Sequence, residues 1–174
     1  MNKNILALCL AGTFFSASAQ VLNPSHLQNV KQNTDKPFYS KSLSHLISKA
    51  DTLLGCEPLS VMDKKAVPAS GDLHDYMSQA RYFWRDPNKP DGLPYINRDG
   101  ITNPEIYQLD RDRLGKTADR IKTLALAYYF TGDEKYAVKA AKLIDVWFLD
   151  KNTRMNPNLE YAQMIPGHNN GKGR

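Results

Sequence analysis

The sequence predicts an all-α fold in which helices are joined by long irregular loops. Three segments carry apolar residues at the three-to-four-residue spacing of an amphipathic helix. These segments cover roughly residues 43–54, 110–131 and 133–149. Between them no sustained period occurs, and the frequent Gly, Pro, Asn and Asp residues favour turns and loops.

The first element along the chain has the pattern of an export signal. Lys3 gives a positive start, residues 5–15 form a short apolar run, and Ala17-Ser18-Ala19 fits the small-x-small cleavage pattern. We therefore predict cleavage after Ala19, removal of residues 1–19, and a periplasmic or secreted protein. The apolar run is much shorter than the roughly 20 residues of a membrane span, so we expect no membrane span. A retained anchor is the alternative.

Residues 20–36 are polar and aperiodic, and we interpret them as a leader or linker. A domain is expected from residue 37 to residue 174. It begins with the first amphipathic segment, which Gly55 can end, because glycine commonly terminates helices. The apolar positions of this segment are Leu43, Leu46, Ile47, Ala50, Leu53 and Leu54.

Residues 70–100 combine aromatic and cationic side chains with turn-forming Asp, Gly and Pro. We expect loops here, with at most a brief helix over residues 74–84. Two interpretations are open: the rings fix an ordinary loop in place, or they stack on sugars while Arg side chains bind carboxylates. The side chains concerned are His74, Tyr76, Arg81, Tyr82, Trp84, Arg85, Tyr95 and Arg98.

The second and third amphipathic segments predict an αα-hairpin. Asp110 or Asp112 can cap the first helix, Gly132 can end it, and Asp133 can cap the second. The short Thr-Gly-Asp connection makes the two helices antiparallel neighbours. From residue 150 to residue 174 the chain is irregular again, and we expect no closing helix or strand there. We therefore expect this chain to be the N-terminal portion of a longer protein.

The reactive residue types argue against several kinds of site. No HxxxH or CxxC spacing occurs, so we expect no metal or other cofactor. Cys56 is the single cysteine after export, which excludes a disulfide scaffold, and no cation adjacent in sequence activates it. The formal net charge of +5 is dispersed among acidic residues, so we expect no nucleic-acid partner. Paired carboxylates for glycoside hydrolysis stay open, because Asp is abundant in the loops.

The loops around the hairpin are rich in Arg, Tyr, His, Asn and Gln, which suits β-elimination on a uronic acid polymer. That reaction removes the proton at sugar carbon 5 and expels the oxygen at carbon 4. Arg, Asn or protonated His can neutralise the sugar carboxylate and so make the proton acidic enough. A His or Tyr can act as base, and a Tyr can protonate the leaving oxygen. No metal is required.

Three segments occur in the order HDYMSQARYFWRDPNKPDGLPYINRDG, LALAYYFTGDEKYAVKAAKLIDVWFLD and TRMNPNLEYAQMIPGHNNGKGR. Together, over roughly residues 61–174, they resemble the alginate lyase domain family of secreted bacterial polysaccharide lyases. The resemblance implies an (α/α) toroid or incomplete barrel of helical hairpins, with an acidic polysaccharide bound in a groove across its open end. It also implies β-elimination on alginate or a glucuronan-like chain.

The resemblance also guides the choice of site residues. The family's catalytic Asn-Asn-His motif, with its Arg and Tyr, is expected beyond residue 174, so we assign no catalytic residue. The terminal His168-Asn169-Asn170 has the same residue types in a different order and receives no catalytic role. The expected substrate-binding residues are His74, Tyr76, Arg81, Tyr82, Trp84, Asn158, Tyr161, Gln163, His168 and Asn170.

Other interpretations stay open at this point. Tyr76 and Trp84 can be buried wedges rather than sugar platforms, and Arg81 can pair with an Asp of its own loop. The protein can also be a non-catalytic exported carbohydrate-binding protein, or a glycoside hydrolase on a similar helical toroid. For this chain by itself we expect little or no lyase activity. The sequence does not predict an oligomeric state.

Overall fold

The computed structural model describes residues 22–173. The predicted export signal lies outside the described residues, so cleavage after Ala19 stays a prediction. Within residues 22–173 no helix is both long and apolar enough to cross a membrane. The α-helices of this part of the chain are α1 (Pro24–Gln32), α2 (Pro37–Leu54), α3 (Asp110–Thr131) and α4 (Glu134–Ile144).

Helices α2, α3 and α4 pack around one apolar cluster. The predicted αα-hairpin is confirmed: Gly132 ends α3 at a left-handed φ of 71°, and the side chain of Asp133 accepts the N–H of Lys135 at the start of α4. α2 begins at Pro37, where we expect the domain to begin, because proline at the first turn of a helix has a suitable backbone. The buried cluster contains Ala50, Leu124, Ala127, Tyr136, Ala140 and Leu143.

Part of the segment that we interpreted as a leader is helical. In α1 the side chain of Asn23 accepts the N–H of His26, and Pro24 occupies the first turn. None of the α1 residues is buried. The ammonium of Lys31 holds α1 against α3 by donating to the carbonyl oxygen of Tyr129 at 2.7 Å. A short polar helix of this kind has no apolar stripe from which the sequence could predict it.

The structure also contains two small sheets, so the all-α prediction is wrong in this respect. β1 (Met77–Gln79) pairs in parallel with β4 (Tyr161–Met164), and β2 (Phe83–Trp84) pairs antiparallel with β3 (Ile96–Asn97). The brief helix predicted within residues 74–84 is therefore wrong, and the tail is not wholly irregular. The mostly helical character is confirmed, whereas the toroid stays a prediction.

A buried ion pair joins the helices to the β1–β4 sheet. The ammonium of Lys64 lies 3.0 Å from Oδ2 of Asp110, and neither side chain is exposed. Lys64 also donates to the carbonyl oxygens of Val61 at 2.8 Å and Leu73 at 2.6 Å. Oδ2 of Asp110 accepts the N–H of Met77 at 2.9 Å, which fixes the start of β1. Asp110 is thus the first residue of α3 and a buried anchor, rather than the predicted cap.

Candidate functional site

Two clefts open beside the β1–β4 sheet. Met77 and Met164 line the first cleft, of about 590 Å³, whereas Ser78 and Gln163 line the second, of about 720 Å³. Gln79 lines both. Because successive residues of a strand point to opposite faces, the short sheet separates the two clefts.

Among the charged side chains of the first cleft, Arg85, Glu105 and Arg113 are engaged by other groups of the protein, whereas the ammonium of Lys65 has no hydrogen bond or ion pair within residues 22–173. Nε of Arg85 lies 3.3 Å from Oε1 of Glu105, whose Oε2 accepts the hydroxyl of Tyr95 at 2.6 Å. Arg113 donates to three backbone carbonyl oxygens. Burial and the bond to Glu105 raise the pKa of Tyr95 to about 12, so its hydroxyl stays protonated. The first cleft thus offers a ligand one unpaired cation, Lys65, beside side chains that the protein already engages.

The second cleft is cationic and has free polar groups. Arg81 and Arg111 line it, and neither guanidinium forms a hydrogen bond or ion pair with any of residues 22–173. The side chains of Tyr82, Asn97 and Gln163 likewise have no hydrogen bond within residues 22–173. The lining contains no carboxylate; its residues are Tyr76, Ser78, Gln79, Ala80, Arg81, Tyr82, Phe83, Asn97, Arg111, Leu114, Leu159, Ala162 and Gln163.

The backbone fixes the positions of Arg81 and Arg111 in the second cleft. Arg81 lies in the turn between β1 and β2, where its carbonyl oxygen accepts the N–H of Asn103 at 2.9 Å. Arg111 follows the buried Asp110 in the first turn of α3.

Burial of Tyr76 raises the pKa of its hydroxyl, and the hydrogen bond with the Ser78 hydroxyl lowers it; the net shift of the pKa is upward. The Tyr76 hydroxyl is therefore neutral at ordinary pH.

Four of the predicted substrate-binding residues meet in this cleft: Tyr76, Arg81, Tyr82 and Gln163. The other six predicted residues do not line it. Trp84 donates its indole N–H to the carbonyl oxygen of Ile101 at 2.8 Å. Tyr161 is buried within β4. Nε2 of His168 lies 3.1 Å from the carbonyl oxygen of Tyr95, and Asn170 is exposed in a short turn.

The remaining two predicted residues, His74 and Asn158, belong to a set of hydrogen bonds between the first and third sequence motifs, which we call the clamp. Asp75 is buried, and its Oδ1 accepts the side-chain amides of Asn156 at 2.8 Å and Asn158 at 3.0 Å. Its Oδ2 accepts the hydroxyl of Ser70 at 2.7 Å. Beside it, Nδ1 of His74 lies 2.7 Å from the carbonyl oxygen of Arg154. The clamp holds together the two loops that supply the walls of the second cleft.

The clamp predicts a pH dependence of stability. Burial acts to raise the pKa of Asp75, but the hydrogen bonds from Asn156, Ser70 and Asn158 outweigh it, and the net pKa is lowered. A carboxyl whose pKa is lower in the folded state stabilises the fold above its unfolded pKa, near 4, and loses this contribution as pH falls through the folded pKa. We expect urea unfolding to show a loss of stability below about pH 4 that is smaller in Asp75→Asn.

The matched control for this prediction is Asp35→Asn, since Asp35 is exposed. Its pH profile should follow that of the unaltered protein. Parallel profiles for the unaltered protein and Asp75→Asn would show that the clamp carboxylate does not control acid stability.

Sequence reasoning missed Arg111 and Asn97, which complete the polar lining of the second cleft. Arg111 lies in a segment that we interpreted only as helix. One signal was available: a cation in the first turn of a helix is disfavoured by the partial positive charge of the helix N-terminus.

Metal-binding geometry is absent from the described part of the chain. Residues 22–173 contain no group of three or more His, Cys, Asp or Glu side chains that could hold a metal ion. The polar groups that line the second cleft are guanidinium, amide, phenol and hydroxyl groups. Such groups recognise carboxylates and hydroxyls through hydrogen bonds.

Comparison with known proteins gives the family. The model of the alginate lyase family matches residues 60–174. The crystal structure of an alginate lyase from Bacteroides ovatus superimposes with a TM-score of 0.83 at 53% sequence identity, and the match covers 86% of this chain and 40% of that one. The chain thus spans about 40% of the length of that relative. No curated protein matches. Since the family model covers well over half of the sequence, the chain belongs to the alginate lyase family.

Proposed function

We propose that this chain is the substrate-binding part of an exported polysaccharide lyase that cleaves an acidic uronate polymer by β-elimination. The observation that carries the proposal is the second cleft. It presents two guanidinium groups with no carboxylate in its lining and no ion-pair partner for either among residues 22–173. A polyanion entering this cleft finds cations that no carboxylate of the described chain has neutralised.

The chemistry of the lining matches that of a uronate chain. A guanidinium can bind a carboxylate through two parallel hydrogen bonds, which gives both charge and planar geometry. The amides of Asn97 and Gln163 can donate to and accept from sugar hydroxyls. The half-buried ring of Tyr82 adds apolar surface of the kind on which sugar rings stack. Alginate and glucuronan-like chains both offer this combination of carboxylates and hydroxyls.

The second cleft supplies binding groups but no histidine. Arg81 and Arg111 can neutralise a sugar carboxylate, which makes the proton at carbon 5 more acidic. No histidine lines the cleft; its phenols are Tyr76, whose raised pKa keeps its hydroxyl protonated, and Tyr82, whose hydroxyl has no hydrogen-bond partner among residues 22–173. We therefore propose that the Asn-Asn-His, Arg and Tyr expected from the family resemblance come from polypeptide equivalent to the part of the Bacteroides ovatus protein that this chain does not span.

Binding and cleavage can be tested separately. We expect the chain without its predicted signal to be retained on immobilised alginate or glucuronan in low salt and released as salt screens the guanidinium groups. It should generate no ultraviolet absorbance from an unsaturated uronate. A protein extended to the length of the relative should generate that absorbance.

The two measurements test different parts of the proposal. Absence of retention on every polyuronate would contradict the binding proposal. Retention by the extended protein without any rise in absorbance would contradict the lyase proposal, and would instead favour the non-catalytic carbohydrate-binding protein. The lack of a histidine in the second cleft is the observation that keeps this second candidate open.

The hydrolase alternative has less support in the described part of the chain. Glycoside hydrolysis needs two carboxyl groups that flank the scissile bond. The second cleft has none, and the first has Asp63 and Glu105. One oxygen of Asp63 accepts the N–H of Ser60, and Glu105 is held by Tyr95 and Arg85. Saturated sugar products would nevertheless identify a hydrolase directly.

A further inference from the structure

The β1–β4 sheet contains a bulge beside the second cleft. From Met77 to Gln79, β1 advances by two residues, while its partner β4 advances by three, from Tyr161 to Met164. One residue of β4 is therefore extra. Gln163, the residue before Met164, has a left-handed backbone with a φ of 53°. Bulges occur often next to active sites, where they change the direction of a side chain.

Gln163 is an unexpected residue at this position. A left-handed backbone conformation is readily adopted by glycine and is unfavourable for residues with a Cβ atom, and the left-handed position of a common bulge type is usually glycine. The backbone of the bulge is held by the N–H of Gln163, which donates to the hydroxyl oxygen of Ser78 at 2.9 Å. Glycine would keep that hydrogen bond. The fold itself therefore gives no reason for a glutamine side chain here.

The bulge determines where the Gln163 side chain lies. In a regular strand, residues 161 and 163 would share one face of the sheet. Tyr161 is buried, whereas Gln163 is exposed and lines the second cleft. Its amide forms no hydrogen bond with residues 22–173. The extra residue thus places a free amide in the cleft that also contains Arg81 and Arg111.

We propose that the bulge makes Gln163 a substrate-contacting residue of the second cleft, whose amide hydrogen-bonds the hydroxyl or ring oxygens of a bound uronate chain. This inference rests on the proposed function, in which Arg81 and Arg111 bind the carboxylates. The two kinds of contact are complementary, because guanidinium groups recognise the charge of the polymer and a neutral amide recognises its hydroxyls. The unfavourable backbone conformation is then the cost of that contact.

The substitution Gln163→Gly separates the effect of the left-handed backbone on stability from the effect of the side-chain amide on binding. It relieves the left-handed conformation, so we expect the melting temperature to rise by about 2–4 °C. It also removes the amide, so we expect the dissociation constant for alginate oligosaccharides to increase by about 3- to 10-fold. The salt dependence of binding should stay the same, since glutamine carries no charge. Thermal unfolding by circular dichroism and calorimetric titration at several salt concentrations measure these three quantities.

Asn169→Gly is the control for affinity. Asn169 also has a left-handed backbone, with a φ of 46°, but does not line the second cleft, so its replacement should leave affinity unchanged. Equal affinity of Gln163→Gly and the unaltered protein would overturn the assignment of Gln163 while leaving the proposed function in place. A lower melting temperature of Gln163→Gly would show that the side chain supports the fold, and would also overturn it. Failure of the unaltered protein to bind any polyuronate would overturn the proposed function and this inference together.

Discussion

Replacing Arg81 and Arg111 together by Gln should weaken the binding of a polyuronate by about 100-fold in low salt. Each guanidinium lines the second cleft without a protein partner among residues 22–173, so its hydrogen bonds are available to the ligand. A hydrogen bond to a charged group contributes about 1.5–3 kcal/mol when buried, and both residues are exposed, so we expect about tenfold for each. The remaining binding should depend less on salt. Calorimetric titration with alginate oligosaccharides gives both quantities.

Lys116→Gln tests whether the position of the charge matters. Lys116 is an exposed cation on the same helix α3, and it lines a shallow groove beside α2 rather than the second cleft. Its replacement changes the net charge as much as either Arg substitution, yet should alter affinity by less than about twofold. If Lys116→Gln were as damaging as Arg111→Gln, general electrostatic attraction would explain the binding. Normal binding by the double Arg variant would exclude the cleft as the site.

Replacing Asp110 by Ala should lower the free energy of unfolding by about 3–5 kcal/mol. The substitution leaves the ammonium of Lys64 buried without a counter-charge, and it removes the acceptor for the N–H of Met77. Since small domains are stable by only about 5–15 kcal/mol, the variant should lose a large fraction of its stability. Urea unfolding followed by circular dichroism measures the change.

An exposed pair of the same residue types provides the control. Asp119 lies 2.8 Å from Lys122, and their side chains are 71% and 54% exposed. Because water solvates both charges, Asp119→Ala should change the free energy of unfolding by less than about 1 kcal/mol. Similar losses in Asp110→Ala and Asp119→Ala would show that burial of the Lys64–Asp110 pair is not what makes it important.

The helical hairpin could be predicted from the sequence because its signals are local. Gly132 and Asp133 end one helix and begin the next, and the apolar stripes on either side have a helical period. The β1–β4 sheet could not be predicted in this way. Its strands have three and four residues, too few to show alternation, and Met77 pairs with Tyr161 far along the chain. Such a pairing depends on the tertiary fold rather than on the sequence near either strand.

The candidate site was only partly predictable for a related reason. The sequence shows that Asn158 and Gln163 are polar residues in one motif, but not which hydrogen bonds the fold already uses. The amide of Asn158 is bound to Asp75, whereas that of Gln163 has no partner among residues 22–173. Arg111 was missed because its segment has a helical pattern that by itself accounts for a charged residue. Whether these side chains contact substrate stays a prediction.

The second cleft is assembled from three distant parts of the chain, represented by Tyr76, Arg111 and Gln163. Such a site does not exist in the unfolded chain, so a ligand that fills it binds only the native state. By mass action, a polymer at one hundred times its dissociation constant adds about 2.7 kcal/mol to the free energy of unfolding. If the proposed polysaccharide fills the cleft, it also stabilises the fold, and the protein then resists unfolding most strongly where that polymer is abundant.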